Sequence, residues 1–383
     1  MKAFTILLFA CSLAASTYAQ DTYKLTGELT ADSRKAVKQL FITYEDELGN
    51  TVKLDSAQVK RGKFTFEGTI PAHVEKVSLS GFPRESLSFF LDPGELTVTG
   101  LDAQAPAKAR VTGSHNNDIY NKVKDLEAQS LQAAAEKVKA YEASLPADIK
   151  NDPAQLKKYV AAESGRQQAL ARLDVMDFIA SNLYEPIAVW LVNDYCRDYF
   201  SPYTMQRDIL VALPASCQNH PLYQEMLSFA LSSDLKSGVD APVIVGRDLD
   251  GKRLSSADLK GKYVLVHFWS SQDPASTAET AKLKEALEAA RDFGRFAVLS
   301  YSLDTDARAW ADAVTRLGMT DPNWHHASAL KGMDSKPARL YQFKKLPFSV
   351  LLNPQGKIIE MELRGDNIVS KVTRIAEGIE TYE

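Results

Sequence analysis

From Asp21 to about Gly113, apolar and polar residues alternate in short runs: "YKLTGEL", "KQLFITYE", "KFTFEGTI", "KVSLSG", "SLSFFL" and "ELTVTG". Turn signals such as "LGN", "KRGK" and "DPGE" separate them. Alternation with period two places apolar side chains on one face of a strand, so this stretch predicts an antiparallel sheet or sandwich. Polar residues within it, His73 and Asp55 among them, read as solvated strand faces.

The pattern then changes to helix. "SHNNDIYNKVKDLEAQSLQAAAEKVKAYEASL" is rich in Ala, Lys, Glu and Gln, and helix resumes after "PADIKNDP" through "AQLKKYVAAESGRQQALARLDVMDFIASN" to about Ser233. Pro186, Pro202 and Pro221 each fit a helix opening, where the missing N–H is harmless. Trp190, Leu191, Tyr195 and Tyr199 form a stripe at helical spacing that reads as packed core. From about Gly238 strand and helix alternate. "YVLVHFW" and "RFAVLSYSL" are continuous apolar runs of strand length, and "AKLKEALEAARDFG" predicts a helix ending at Gly294. "DARAWADAVTRLG" predicts a helix ending at Gly318, "FSVLLNPQGKIIEMEL" a hairpin around Pro354 to Gly356, and "NIVSKVTRIAEGI" a closing helix. The expected fold is multidomain α+β. It has an antiparallel β-sandwich-like N-terminal domain (20–113), a helical region (114–237) and an α/β domain with a mixed sheet (238–383).

Composition and charge remove whole classes of function. With 383 residues and 45% hydrophobic content, the chain can bury more than one core. The formal net charge of −4 comes from interspersed acids and bases, with no Lys/Arg run to track a phosphate backbone, so nucleic acid is not an expected partner. "MKAFTILLFACSLAASTYAQ" combines an early Lys, an apolar stretch and the small residues Thr17 and Ala19 before Gln20, which predicts a secretory signal over residues 1–19. A second reading takes "LFAC" as a lipoprotein signal with Cys11 lipidated, which Phe9 and the short apolar stretch fit less well. No later segment reaches the ~18 consecutive apolar residues of a membrane span. Two cysteines follow the signal, Cys196 and Cys217. An oxidising compartment permits a disulfide between them, and two unrelated thiols are the alternative.

"VLVHFWSSQDPAST" reads as a buried strand running into a helix. It stands within an ordered set of motifs, "LDGKRLSSADLKGKYVLVHFWSSQDPAS", "YSLDTDARAWADAV", "LPFSVLLNPQGKII" and "LRG". That order resembles the thioredoxin fold, specifically the exported thioredoxin-like proteins of the TlpA-like and alkyl hydroperoxide reductase/thiol-specific antioxidant group. The β region and the helices after it resemble the uncharacterised N-terminal region that precedes such domains in many exported bacterial proteins. The resemblance implies that Gln272 stands at the Trp of the family's Trp-Cys-x-x-Cys motif, and Asp273 and Ser276 at its two cysteines. It further implies a cis-proline at Pro347, the TlpA-like acidic residue at Glu279, and His267 where thioredoxins often bury an acid. The implied groove is formed by Trp269, Gln272, Asp273, Pro274, Ser276, Leu346 and Pro347, supported by His267 and Glu279.

Disulfide exchange needs a thiolate and a second thiol to resolve the mixed disulfide, and neither Asp273 nor Ser276 supplies sulfur. Asp273 followed by Pro274 is instead a favourable helix start, worth about 0.5–2 kcal/mol over Ala at the cap. The leading expectation is a periplasmic thioredoxin-like protein, redox-inactive at the usual site, without cofactor. It would bind an exported peptide or protein, with the β domain as a second contact surface or homodimer contact. The alternative is an active oxidoreductase using Cys196, Cys217 or a partner's thiol. A third reading makes Ser276 a nucleophile with His267 as base, a pair lacking an evident orienting acid or oxyanion hole. Peroxide reduction by a thiolate is excluded within Val239 to Glu383, which contains no Cys. His325 and His326 are adjacent on one predicted strand and point to opposite faces, so no metal site is expected.

Overall fold

The computed structural model describes residues 21–382 except His73 and residues 197–202 and 232–234; side chains at 203–207 and 231 are also left undescribed. The predicted signal with Cys11 and Gln20, together with His73, Tyr199 and Pro202, lies outside the described residues. The chain divides into two compact units, one of residues up to 44 with 51–122, the other of 45–50 with 123–383.

The first unit is built on strands β1 (Thr22–Leu29), β2 (Gln39–Glu45), β3 (Thr51–Gln58), β4 (Lys63–Thr69), β5 (Lys76–Ser80), β6 (Leu87–Phe90), β7 (Gly94–Leu101) and β8 (Arg110–Thr112). They form two four-stranded sheets ordered β4-β1-β7-β8 and β3-β2-β5-β6. Leu25, Phe66 and Leu96 of the first sheet share one core with Leu40, Ile42, Leu79 and Phe89 of the second. One pairing differs from a purely antiparallel expectation: β1 runs parallel to β7, with Leu25 opposite Leu96. Parallel neighbours need a long crossover, and here the intervening strands supply it. Asp55 is not simply a solvated face residue either. Its carboxylate accepts the hydroxyl hydrogen bond of buried Tyr23 at 2.9 Å, a partner that a buried phenol requires.

In the helical region α1 (His115–Ser144) and α3 (Pro153–Ser181) flank the one-turn α2 (Ala147–Lys150). Ser130 donates to Asp174 at 2.9 Å, and Gln167, Ala171, Val175 and Ile179 form a buried stripe spaced by four. Helices α4 (Ala188–Cys196), α5 (Tyr203–Ala212) and α6 (Pro221–Leu231) follow. Pro221 opens its helix, whereas Pro186 sits in the turn before α4. Leu191 is core, while Trp190 and Tyr195 are half-buried.

The C-terminal region contains β9 (Val245–Arg247), β10 (Arg253–Ser255), β11 (Tyr263–Trp269), α7 (Pro274–Ala289), β12 (Phe296–Ser302), α8 (Ala307–Arg316), β13 (Trp324–Ser328), α9 (Lys336–Tyr341), β14 (Phe348–Leu352), β15 (Ile358–Met361) and α10 (Asp366–Ala376). The seven-stranded mixed sheet has the order β10-β9-β13-β12-β11-β14-β15. Strands β11, β12 and β13 are parallel, and β14 and β15 form the expected antiparallel hairpin. Leu265 and Trp269 face the core under α7, α8 and α10, while Val264, Val266 and Phe268 face the opposite core with α9. Helix α7 stops at Ala289, short of Gly294. A tighter Arg291-to-Glu288 backbone bond closes its end, and Phe293 turns back onto Tyr263.

Candidate functional site

The site lies where β11 passes into α7. Asp273 is the N-cap: Oδ2 accepts from the backbone N of Ser276 at 2.7 Å and from its hydroxyl at 2.6 Å, with Pro274 in the first turn. The Asp-Pro helix start read from the sequence therefore also ties the two motif positions directly together. Ser276 is fully buried.

Alternation along β11 sends His267 to the same face as Leu265 and Trp269, under α7. Helical spacing along α7 turns Ser276, Glu279, Thr280 and Leu283 toward the sheet. Glu279 and His267 consequently meet, with Oε2 3.7 Å from Nε2. Nδ1 of His267 lies 3.2 Å from Ser300 Oγ, which already accepts the indole N–H of Trp324 at 2.8 Å. The remaining Ser300 hydrogen is best used on Nδ1, which assigns the imidazole proton to Nε2. Nε2 and Glu279 Oε2 then have no hydrogen-bond partner. Their separation satisfies an ion-pair distance, yet burial favours the neutral form of each. Desolvation, followed by the charges of Arg364 and His326, lowers the His267 pKa to about 3. Desolvation likewise raises Glu279, against the opposing Gly365 N–H and Arg364. Burial thus works against the charged form of both partners of this 3.7 Å contact.

Asp304 is a site residue that the sequence reading missed. It is 3% exposed. Its carboxylate accepts from Ser270 Oγ (2.8 Å), Ser271 N (3.0 Å), Ser271 Oγ (3.0 Å) and Ser302 Oγ (2.7 Å). Parallel β11 and β12 end at the same edge of the sheet, so an acid just after β12 lands beside the loop just after β11. The available signal was an Asp following "YSL", placed against the serine pair of "WSSQ".

The Leu346–Pro347 peptide is cis. Leu346 is half-buried, and neither its N–H nor its C=O has a hydrogen-bond partner among the described residues. Of the expected groove residues, Gln272 and Pro274 are exposed, Asp273 and Leu346 are half-buried, and Ser276 and Pro347 are buried. Trp269 departs from the expectation: strand alternation puts it wholly in the core, so it cannot line a surface groove.

The Ser276–His267 pair is not assembled for hydrolysis. The serine hydroxyl is spent on Asp273, and the two imidazole nitrogens face Ser300 and Glu279. Cys196 and Cys217 are free cysteines, which answers the open disulfide question against a bridge. Burial pushes the Cys196 thiol up to about 11, away from thiolate reactivity. His325 is half-buried, and His326 is buried with Nε2 2.8 Å from the carbonyl of Met319. The described residues hold no cluster of three or more His, Cys, Asp or Glu suited to a metal.

The C-terminal region is a thioredoxin-like domain related to the thiol-disulfide oxidoreductases. Residues 261–358 match the family model described as "Thioredoxin-like", and residues 23–120 match a "Domain of unknown function (DUF4369)". Among curated relatives, the thiol-disulfide oxidoreductase ResA of Bacillus thuringiensis is 27% identical over 154 residues, covering 40% of this chain and 84% of ResA. ResA of Bacillus subtilis is 25% identical over 133 residues, covering 35% of this chain and 70% of its own. Among solved structures, the thioredoxin domain of a thiol-disulfide oxidoreductase from Bacteroides vulgatus is 32% identical, covering 37% of this chain and 99% of that one, with a TM-score of 0.34. No helix among the described residues is long and apolar enough to cross a membrane.

Proposed function

We propose that this chain is an exported, periplasmic thioredoxin-like protein that does not exchange thiols at the family's usual site and instead binds an extended peptide segment beside Leu346. The observation that carries the reading is the unspent backbone of Leu346, two residues before the Phe348 that pairs with Phe268 at the end of β11, the strand that leads to a helix start closed by Asp273 and Ser276. A free N–H and C=O at the edge of a groove can pair with a peptide strand without any covalent step. An active oxidoreductase would draw on a partner's thiol, on Cys196, whose burial disfavours the thiolate, or on Cys217, which is half-buried in the helical region.

Two measurements test this together. In an insulin-reduction assay with dithiothreitol, the full chain is expected to show no turnover above the reductant alone. Turnover that disappears in a Cys196→Ser, Cys217→Ser variant overturns the redox-inactive reading. In hydrogen–deuterium exchange, a short extended Ala/Val/Gln peptide is expected to protect the segment around Leu346. Unchanged exchange there at saturating peptide overturns the binding reading.

A further inference from the structure

The surface beside Leu346 carries charge that the fold does not use. Arg364 follows β15 and is half-buried, yet its side chain has no hydrogen bond or ion pair among the described residues. It stands close enough to Glu279 and His267 for its charge to act on both. The 362–365 segment is fixed to the start of β14, just after the cis-proline, and to α7: Glu362 N donates to Ser349 O at 2.7 Å, the Ser349 hydroxyl donates to Leu363 O, and Gly365 N donates to Glu279 at 3.2 Å. Lys344 and Lys345 immediately precede Leu346, are exposed, and also lack a partner among the described residues.

The acids of the same neighbourhood are largely committed. Asp273 holds Ser276, Asp304 holds three serines, Glu279 is buried, and Asp366 bridges to Lys282 at 2.8 Å. Glu362 alone is exposed with no side-chain partner among the described residues. The two adjoining segments therefore carry three unspent cations against one unspent carboxylate, on a chain whose formal net charge is −4.

We propose that this rim selects an extended acidic peptide: Leu346 pairs with its backbone while Lys344, Lys345 and Arg364 receive its Asp or Glu side chains. The proposal rests on the peptide-binding reading above and names the partner's chemistry. Alternate side chains of a strand recur about every 7 Å on one face, so one segment can present carboxylates to both loops. A guanidinium with free donors suits a carboxylate in bidentate geometry, whereas the two ammonium groups act as screened point charges.

The test is fluorescence anisotropy of the full chain with three labelled peptides that share an Ala/Val framework and carry Glu, Gln or Lys at alternate positions. The Glu peptide is expected to bind about tenfold more tightly than the Lys peptide at low salt, with the two converging at high salt. A Lys344→Glu, Lys345→Glu, Arg364→Glu variant is expected to reverse that order. If the Gln peptide binds but the variant retains the Glu preference, or the wild type has none, acidic selection is overturned and the groove reading stands. If none of the three binds, both fall.

Discussion

Asp304 and Glu279 are both buried carboxyl groups near the end of β11, 3% and 8% exposed, and the fold treats them in contrasting ways. Asp304 is surrounded by hydroxyl and amide donors from Ser270, Ser271 and Ser302. Glu279 has one donor on Oε1, from Gly365, and none on Oε2. A carboxylate saturated with donors fixes the chain around it, while an under-supplied one is a site where burial works against charge. The difference separates the structural job of the loop leading into α7 from the under-supplied pair behind it.

The sharpest way to break that comparison is to remove the saturated acid. Asp304→Ala leaves the buried Ser302 hydroxyl and the Ser271 amide without their acceptor and is expected to destabilise the chain by about 3 kcal/mol, read from urea unfolding. A loss below about 1 kcal/mol would show that the Ser270–Ser271 loop does not depend on this carboxylate.

Next in size is the helix start. Asp273→Ala removes the cap and strands the buried Ser276 hydroxyl, for an expected loss of about 1–2 kcal/mol in the same assay. Asp273→Asn should recover most of it, since an amide oxygen also caps. Equal losses in the two variants would mean that the carboxylate's charge, rather than its hydrogen bonds to Ser276, holds the turn.

Part of this site was legible in the sequence. Asp followed by Pro announced the start of α7 by a local rule, whereas His267 and Glu279 were singled out only through the resemblance to thioredoxin-like proteins, and the contact between them came from the fold. The alternation of strand and helix after Gly238 likewise led directly to the mixed sheet. What escaped depended on non-local placement. The contacts of Asp304 exist only because two parallel strands end together, and the burial of Trp269 depends on three helices covering its face. The parallel β1–β7 pair is of the same kind, since hydrophobic alternation reads identically in either direction. Arg364 also gave no signal, because an unpaired cation is defined by what the folded chain fails to bring near it.

The smallest expected effect sharpens the comparison from the other side. Burial raises the Glu279 pKa above its ordinary 4.5, so the folded state holds that proton more tightly than the unfolded chain. Its contribution to stability is complete below pH 4.5 and is lost as pH rises through the raised folded value. Glu279→Gln imitates the protonated group at every pH. Its melting temperature should therefore exceed that of the wild type at pH 7 by a few degrees at most, and the difference should vanish near pH 4. His267 has the opposite sign: its pKa falls from 6.5 to about 3, so its contribution is complete above 6.5 and declines as pH drops toward 3. That acid limb belongs to the imidazole and should persist in the Gln variant. Melting curves by circular dichroism across this range separate the two groups. A difference between variant and wild type that is independent of pH, or a less stable variant at pH 7, would mean that burial does not work against the charge of Glu279.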